Sequence, residues 1–348
     1  MTAKFLPGLS RAELEAWVLG AGLPAYRGRQ ILDWICRRLE FDPERMTSLP
    51  LDLRRRLAAE FALPVVETAR DESPDGVVKT ALRLHDGEVI EMAVIPAEDG
   101  RRTLCLSTQV GCAVGCRFCA SGADGVRRNL AAGEMLGEFL LGCRIIGSRC
   151  DNIVFMGIGE GMMNFDELAL ALDRLSDPEY FGLSPRRITV STSGYVPGML
   201  RFAELRREYN LAVSLHAVDD ATRARLIPDR CRYPISEILS AADRCREANG
   251  RDYTIEYTLC EGINDSPAAA RALGEMAVRR HAKVNLIPCN AVNGEFRRPS
   301  KAAVEAFHRV VAETGARVTR RVERGSRGVA ACGQLRIHTI NSQENRQP

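Results

Sequence analysis

The sequence has no long apolar run. Its most hydrophobic stretch, Met135 to Gly147, is interrupted by Glu138 and Arg144, whereas a helix that crosses a bilayer needs about 20 apolar residues. No membrane span is expected. An excess of one charge is also missing, since 48 Lys and Arg stand against 45 Asp and Glu for a net charge of +3. Any surface for a polyanion must therefore come from local clustering. The opening Met1-Thr2-Ala3-Lys4-Phe5-Leu6-Pro7-Gly8 lacks the cationic stretch and apolar core of an export signal, so a cytoplasmic location is expected. There is no low-complexity segment. With 45% hydrophobic and 27% charged residues the composition is that of an ordinary folded protein. At 348 residues, the chain can form one large domain or two unequal ones.

Cysteine, by contrast, is plentiful, with twelve in the chain. A disulfide framework belongs to small secreted domains and does not suit this length. Three cysteines are crowded into Gly111-Cys112-Ala113-Val114-Gly115-Cys116-Arg117-Phe118-Cys119, and the others are scattered. A 4Fe–4S cluster usually has four thiolate ligands, so three would leave one iron open and reactive. The competing reading is a structural zinc site, which is closed by four Cys or His ligands. The nearest preceding histidine is His85, and the spacing differs from the paired C-x2-C of zinc ribbons. The spacing thus favours a cluster on Cys112, Cys116 and Cys119.

From Arg11 to about Pro64 the apolar residues fall at helical spacing, as in Leu14, Trp17 and Val18 and again in Ile31, Trp34 and Ile35. Strands are expected at 78–84, 88–95 and 103–108, and strands then alternate with helices. The later strands are expected at 152–156, 187–191, 211–215, 253–259 and 283–287, with helices near 133–146, 165–175, 197–208, 235–248, 268–278 and 301–314. This rhythm implies a parallel sheet with right-handed crossovers. With about six βα units it falls short of a full eight-fold barrel. The expected fold class is α/β, a partial (βα)6 TIM-type barrel with an N-terminal helical domain over 1–68 and a β extension over 69–98. The barrel then runs over 99–340, and 341–348 is a polar tail.

The Cys-x3-Cys-x2-Cys spacing, with Phe118 before the third cysteine, resembles the signature of the radical-SAM superfamily. The resemblance implies that the open iron binds the amino and carboxylate groups of S-adenosylmethionine (SAM). It also implies that the reduced cluster cleaves SAM to a 5′-deoxyadenosyl radical. Gly157-Ile158-Gly159-Glu160-Gly161 is by itself a weak glycine pattern without the full GxGxxG form. In such a barrel it resembles the Gly-Glu element that holds the SAM amino group, which assigns Gly159 and Glu160 to the cofactor. Ser191-Thr192-Ser193-Gly194, Ser214-Leu215-His216 and Asn290 each follow a strand. Individually they read as caps or turns. Together, Ser191, Ser214, Leu215, His216 and Asn290 form a candidate SAM-binding rim.

Further runs extend the resemblance along most of the chain. They include Arg27-Gly28-Arg29-Gln30-Ile31-Leu32-Asp33-Trp34, Thr103-Leu104-Cys105-Leu106-Ser107-Thr108-Gln109, Val284-Asn285-Leu286-Ile287-Pro288 and Ala330-Ala331-Cys332-Gly333-Gln334-Leu335. These resemble the RlmN/Cfr family of RNA adenine methylases. The family's pattern implies that Cys332 carries an S-methyl intermediate, that Cys105 resolves the product as a disulfide, and that Glu91 is the proton acceptor. It implies two SAM per turnover, a 23S rRNA substrate with tRNA as a second one, and a low-potential electron donor such as flavodoxin or ferredoxin. Nothing points beyond a monomer. From the residues alone, Glu91 reads as an outward strand carboxylate, and Cys105 and Cys332 read as small buried hydrophobes.

The implied activity is methylation at carbon 2 of an adenine. The alternatives are Cfr-type methylation at carbon 8, a radical-SAM enzyme acting on a protein or small molecule, and a non-catalytic zinc-bearing RNA-binding protein. Gly161-Met162-Met163-Asn164 departs from the usual Pro-Leu-(Leu/Met)-Asn, with Asn164 kept, and Cys289 replaces a common aromatic. Cys36, Cys143, Cys150, Cys231, Cys245 and Cys260 match no motif and are expected to be buried and inert. Arg127 and Arg128, Arg297 and Arg298, and Arg320, Arg321, Arg324 and Arg327 are the candidate phosphate contacts.

Overall fold

The structure, a computed structural model, describes residues 3–122, 125–228, 233–289 and 295–321. Three helices open the chain: α1 (Arg11–Gly20), α2 (Tyr26–Cys36) and α3 (Leu51–Glu60). Helix α1 begins at a capping box in which the Ser10 hydroxyl accepts from Glu13 N–H and the Glu13 carboxylate accepts from Ser10 N–H. Leu14, Val18, Ile31, Ile35 and Leu57 are buried between these helices.

A single ten-stranded sheet follows. It contains β1 (Val66–Glu72), β2 (Val78–Arg83), β3 (Val89–Pro96), β4 (Arg102–Cys105), β7 (Asn152–Phe155), β8 (Ile188–Thr192), β9 (Asn210–Ser214), β10 (Thr254–Leu259), β11 (Lys283–Pro288) and β12 (Arg317–Arg320), hydrogen-bonded in that order. The first four strands pair antiparallel. From β4 onward every pair is parallel. A two-stranded ladder of β5 (Gln109–Gly111) and β6 (Val126–Asn129) stands apart.

The crossovers are α4 (Ala132–Ile146), α5 (Phe165–Ser176), α6 (Val196–Glu204), the pair α7 (Asp220–Leu226) and α8 (Ile235–Asn249), α9 (Pro267–Arg279) and α10 (Lys301–Glu313). The six expected βα units are present, and β12 adds a seventh parallel strand that its sequence, Arg-Val-Thr-Arg, does not announce. The expected strand over 103–108 leaves the sheet after Cys105, and β1 begins at Val66 in the same ladder as the barrel.

Register decides what each face of this sheet carries. A Cβ built on Gly142 of α4 would lie 2.6 Å from Leu104 Cδ and 3.0 Å from Met92 Sδ, which identifies the Leu104 side as the helix-covered face. Cross-strand partners continue that face through Ile153, Ile188, then Val190, Leu211, and on to Val213, Ile255 and Val284. All of these are apolar and buried.

The alternate residues face the concave side. They include Lys79, Glu91, Cys105, Ser191, Ser214, Glu256, Asn285 and Thr319, placed there by the same pairings. Parallel strands are ordinarily apolar on both faces. Here one face is a core and the other lines a polar chamber. Within it Asn285 Nδ2 donates to Glu256 Oε2 at 2.7 Å, and Thr319 Oγ1 donates to Asn285 Oδ1 at 3.1 Å.

Helix α4 joins the N-terminal segments to the sheet through missing side chains. A Cβ on Gly133 would fall 2.5 Å from Phe5 Cβ, and one on Gly137 2.7 Å from Pro64. The same helix buries Glu138 completely, with Oε2 accepting Ser107 N–H at 3.0 Å. Burial pushes the Glu138 carboxyl well above its usual range, although the Ser107 bond opposes this. The folded state therefore holds a proton that the unfolded chain releases near pH 4.3, so this group costs stability as pH rises through and above that value. Glu138→Gln keeps the acceptor and removes the ionisation. Thermal melting should show the variant more stable than the parent at pH 8 and equal to it near pH 4. A variant less stable at both values would show that the carboxylate is ionised and paired.

Candidate functional site

The three clustered cysteines lie on the connection between β5 and β6, beyond the carboxyl end of β4. Gly111 adopts φ +74°, and a Cβ there would stand 2.0 Å from Gly125 O, so only glycine lets the loop close. Cys112 N–H donates to Gly125 O at 3.0 Å, Cys119 N–H to Cys116 O at 3.0 Å, and Arg117 N–H to Leu226 O at 3.0 Å. Val114, Leu226, Ile227, Cys260, Cys289 and Phe296 pack as an apolar patch that Cys112, Cys116 and Phe118 join. Cys260 therefore is buried, as expected for it and for Cys36, Cys143, Cys150 and Cys245.

Burial pushes the Cys112 thiol up to about 11 and the Cys116 thiol well above its ordinary value, and charge on the neighbouring loop cysteines adds to both shifts. The three cysteines are half-buried on one short loop, and the thiols are close enough to feel one another's charge. Deprotonated together they would need a cationic partner, and Cys112, Cys116 and Cys119 are the residues that could hold an iron–sulfur cluster.

The Gly-Glu element follows β7 and is pressed against the chain leading out of β4. Ile158 O accepts from Thr108 N–H at 2.8 Å and Gln109 N–H at 3.1 Å. Gly159 has φ +111°, and a Cβ would lie 2.7 Å from Gln109 N. Gln109 clamps the region, since its Oε1 accepts from Glu160 N–H at 3.0 Å and its Nε2 donates to Asn129 Oδ1 at 2.8 Å. The buried Glu160 carboxylate accepts from Ser193 N–H at 2.6 Å, Ser193 Oγ at 2.8 Å and Met162 N–H at 3.1 Å. Burial raises its pKa, and the Ser193 bonds oppose that. Asn164, the kept residue of the Gly161–Asn164 run, donates to Thr108 O at 2.9 Å and Leu130 O at 2.8 Å.

The remaining rim residues have different surroundings. Ser191 and Ser214 are half-buried on the concave face. The Leu215 side chain is fully buried in the main core, so only its backbone borders the chamber. His216 is buried at φ +59°, a left-handed conformation that costs energy outside glycine. Its Nδ1 accepts from Thr258 N–H at 3.0 Å, and its ring meets Phe118 of the cysteine loop edge-on at 4.9 Å. Burial and then the Arg223 charge push His216 down to about 3, so it is neutral.

Arg223 of α7, which the sequence did not single out, is fully buried and donates to the carbonyls of Ser193, Ser214 and Leu215. It thereby ties the carboxyl ends of β8 and β9 together. A sequence signal existed only in its place just beyond the Ser-Leu-His run.

Cys105 and Glu91 are both buried on the concave face, where Cys105 pairs with Ala93 and Glu91 lies two residues along the same strand. Lys79 Nζ stands 3.9 Å from Glu91 Oε1. Glu91 O accepts the Ser107 hydroxyl at 2.7 Å, and Ser107 Oγ in turn accepts Ile158 N–H at 3.0 Å. Cys332, Asn290, Cys231, Arg324 and Arg327 lie outside the described residues. Of the candidate phosphate contacts, Arg127 pairs with Glu88 at 2.8 Å, and Arg128 pairs with Asp86 at 2.6 Å and Glu134 at 2.7 Å. Both are therefore engaged within the protein.

An open parallel barrel with three thiols and a buried Gly-Glu element at its mouth defines a radical-SAM enzyme. Residues 106–272 match the Radical SAM superfamily, and residues 5–63 match the ribosomal RNA large subunit methyltransferase N-terminal domain. The chain is 40% identical to a probable dual-specificity RNA methyltransferase RlmN of Akkermansia muciniphila, over 93% of each chain. It is 43% identical to the protein of the same description from Moorella thermoacetica, over 95% of this chain and 97% of that one. A crystal structure of a radical SAM methyltransferase from Sphaerobacter thermophilus superposes with a TM-score of 0.90 at 41% identity, covering 95% of this chain and 98% of that one. The chain belongs to the RlmN family of radical-SAM RNA methyltransferases, whose cofactors are a 4Fe–4S cluster and SAM.

Gly159→Ala should push the Gly-Glu loop off Gln109, for both the strained φ and the 2.7 Å contact. Anaerobic equilibrium dialysis should find SAM bound about tenfold more weakly, with iron content unchanged. An unaltered affinity would remove Gly159 and Glu160 from the SAM site.

Proposed function

We propose that this enzyme methylates carbon 2 of an adenine in 23S rRNA, and also acts on tRNA. The observation that carries the reading is the placement of Glu91 and Cys105 on one concave face, below the mouth that gathers the three thiols and Glu160. A ring carbon between two nitrogens is electrophilic and resists a methyl cation, so the chemistry needs a nucleophilic carbon held by the protein. When bound on Cys112, Cys116 and Cys119, the cluster with SAM supplies the 5′-deoxyadenosyl radical, and a further SAM supplies the methyl group.

The chain's own residues do the rest. Cys332 takes the methyl group on sulfur by displacement and carries it to the adenine. Glu91 accepts the ring proton from the covalent RNA–protein adduct. Cys105 attacks the Cys332 sulfur as a thiolate and breaks its bond to the RNA-bound methylene carbon. That carbon keeps the electron pair and takes up a proton to become the methyl group, leaving a Cys105–Cys332 disulfide to be reduced. Glu160 and Gly159 hold SAM, assisted by Ser191, Ser214, the Leu215 backbone, His216 and Asn290. Among the described residues no helix is long and apolar enough to cross a membrane. The proposed enzyme is a monomer that acts in the cytoplasm and takes electrons from flavodoxin or ferredoxin. The N-terminal domain of ribosomal RNA methyltransferases supports rRNA as a substrate, and the dual specificity of the related RNA methyltransferases supports a second RNA.

The test is an anaerobic reaction of reconstituted enzyme with SAM, reductant and unmethylated rRNA or tRNA, read by nucleoside mass spectrometry. The expected product is 2-methyladenosine, abolished by Cys332→Ala. Methylation at carbon 8 would move the enzyme to the Cfr-type activity, and no methyladenosine on either RNA would overturn the substrate.

A further inference from the structure

Lys79 lies on the concave face two strands away from Cys105. It pairs in register with Ala93 of β3, and Ala93 pairs with Cys105 of β4. Its ammonium is 3.9 Å from Glu91 Oε1, and the two side chains are 9% and 7% exposed. Lysine is almost never buried to this degree without a partner, and withdrawing an ion pair from water costs more than it commonly returns. The pair therefore is not there for stability. Lys79 has Ala93 of β3 and Asp71 of β1 as its cross-strand neighbours, and Glu91 has Ala81 of β2.

We infer that Lys79 is a positioning residue for Glu91, pairing with the carboxylate and restricting where it can swing so that it meets the adenine ring proton. The inference rests on the reading of Glu91 as proton acceptor. A general base works only if its oxygen is within hydrogen-bond reach of the proton it removes. An unrestrained glutamate has three side-chain torsions with which to leave that position. An ammonium fixed on the next strand restrains them. Lysine suits the task better than a bulkier partner because its compact charge leaves the chamber open to a base.

The experiment compares Lys79→Met, Lys79→Arg, Glu91→Gln and the double variant Lys79→Met/Glu91→Gln, each as reconstituted enzyme with intact cluster absorbance. Two products are counted in the same reaction, 5′-deoxyadenosine and methyladenosine. If Lys79 acts through Glu91, Lys79→Met should form methyladenosine about tenfold more slowly. Deoxyadenosine formation should stay within a factor of about two, so that the ratio of the two products rises. Lys79→Arg should restore most of the coupling. Glu91→Gln alone should lose about a hundredfold or more, and the double variant should be no slower than Glu91→Gln.

Because the double variant replaces a buried ion pair with a neutral pair, it retains its fold even if Lys79→Met leaves an intolerable lone charge. A Lys79→Met enzyme with the parent's product ratio, or a double variant far slower than Glu91→Gln, would overturn the inference. A Glu91→Gln enzyme at the parent's rate would instead overturn the assignment of Glu91 itself, so the two failures are distinct.

Discussion

The alternation of the parallel strands, apolar toward the helices and polar toward the concave side, is the constraint on which the rest of the structure depends. A barrel whose interior is filled with branched side chains has its chemistry confined to the loops. Here the concave face carries Glu91, Cys105, Ser191, Ser214, Glu256 and Asn285. Leaving it polar gives up burial that would otherwise stabilise the sheet by about 25 cal/mol for each Å² of apolar surface. The helix-covered face must therefore supply the cohesion, and its buried Leu, Ile, Val and Tyr side chains do so from β4 to β11. The ladder is unforgiving because a slip of one residue would send Glu91, Cys105 and Ser214 into the helices.

The loops at the chamber mouth are fixed by polar side chains whose partners are backbone atoms. Gln109, Asn164, His216 and Arg223 each bond main-chain groups on a neighbouring loop or strand. They prepare the shape in which Glu160 and the three thiols are presented, so little rearrangement is left for cofactor binding. Gly159 and Gly111 belong to the same preparation, since in both places a methyl group would occupy the position of a neighbouring backbone atom.

The cysteine spacing, the glycine-flanked glutamate and the βα rhythm were readable along the chain, because each depends on neighbours within a few positions. The helical N-terminus was readable for the same reason. What could not be read depends on register. Nothing along Val78–Arg83 says that Lys79 faces Glu91 and not solvent, because that follows only when β2, β3 and β4 are aligned. Arg223 looks like one more surface arginine until α7 folds back over the strand ends. Asn164 was legible as important, but a side chain that bonds two carbonyls has the same sequence signature as one that bonds a ligand. Strand β12 was missed because its four residues carry no apolar alternation. Arg127 and Arg128 looked like a basic patch because Glu88 and Asp86, which they engage, lie about forty positions away in sequence.

The Arg223 guanidinium also has a consequence for metal selection. Carbonyl oxygens at strand ends are hard donors of the kind that capture magnesium and calcium. Three of those carbonyls, on Ser193, Ser214 and Leu215, already accept bonds from a fixed positive charge. A hard divalent ion arriving at these strand ends would meet that charge in place of open lone pairs.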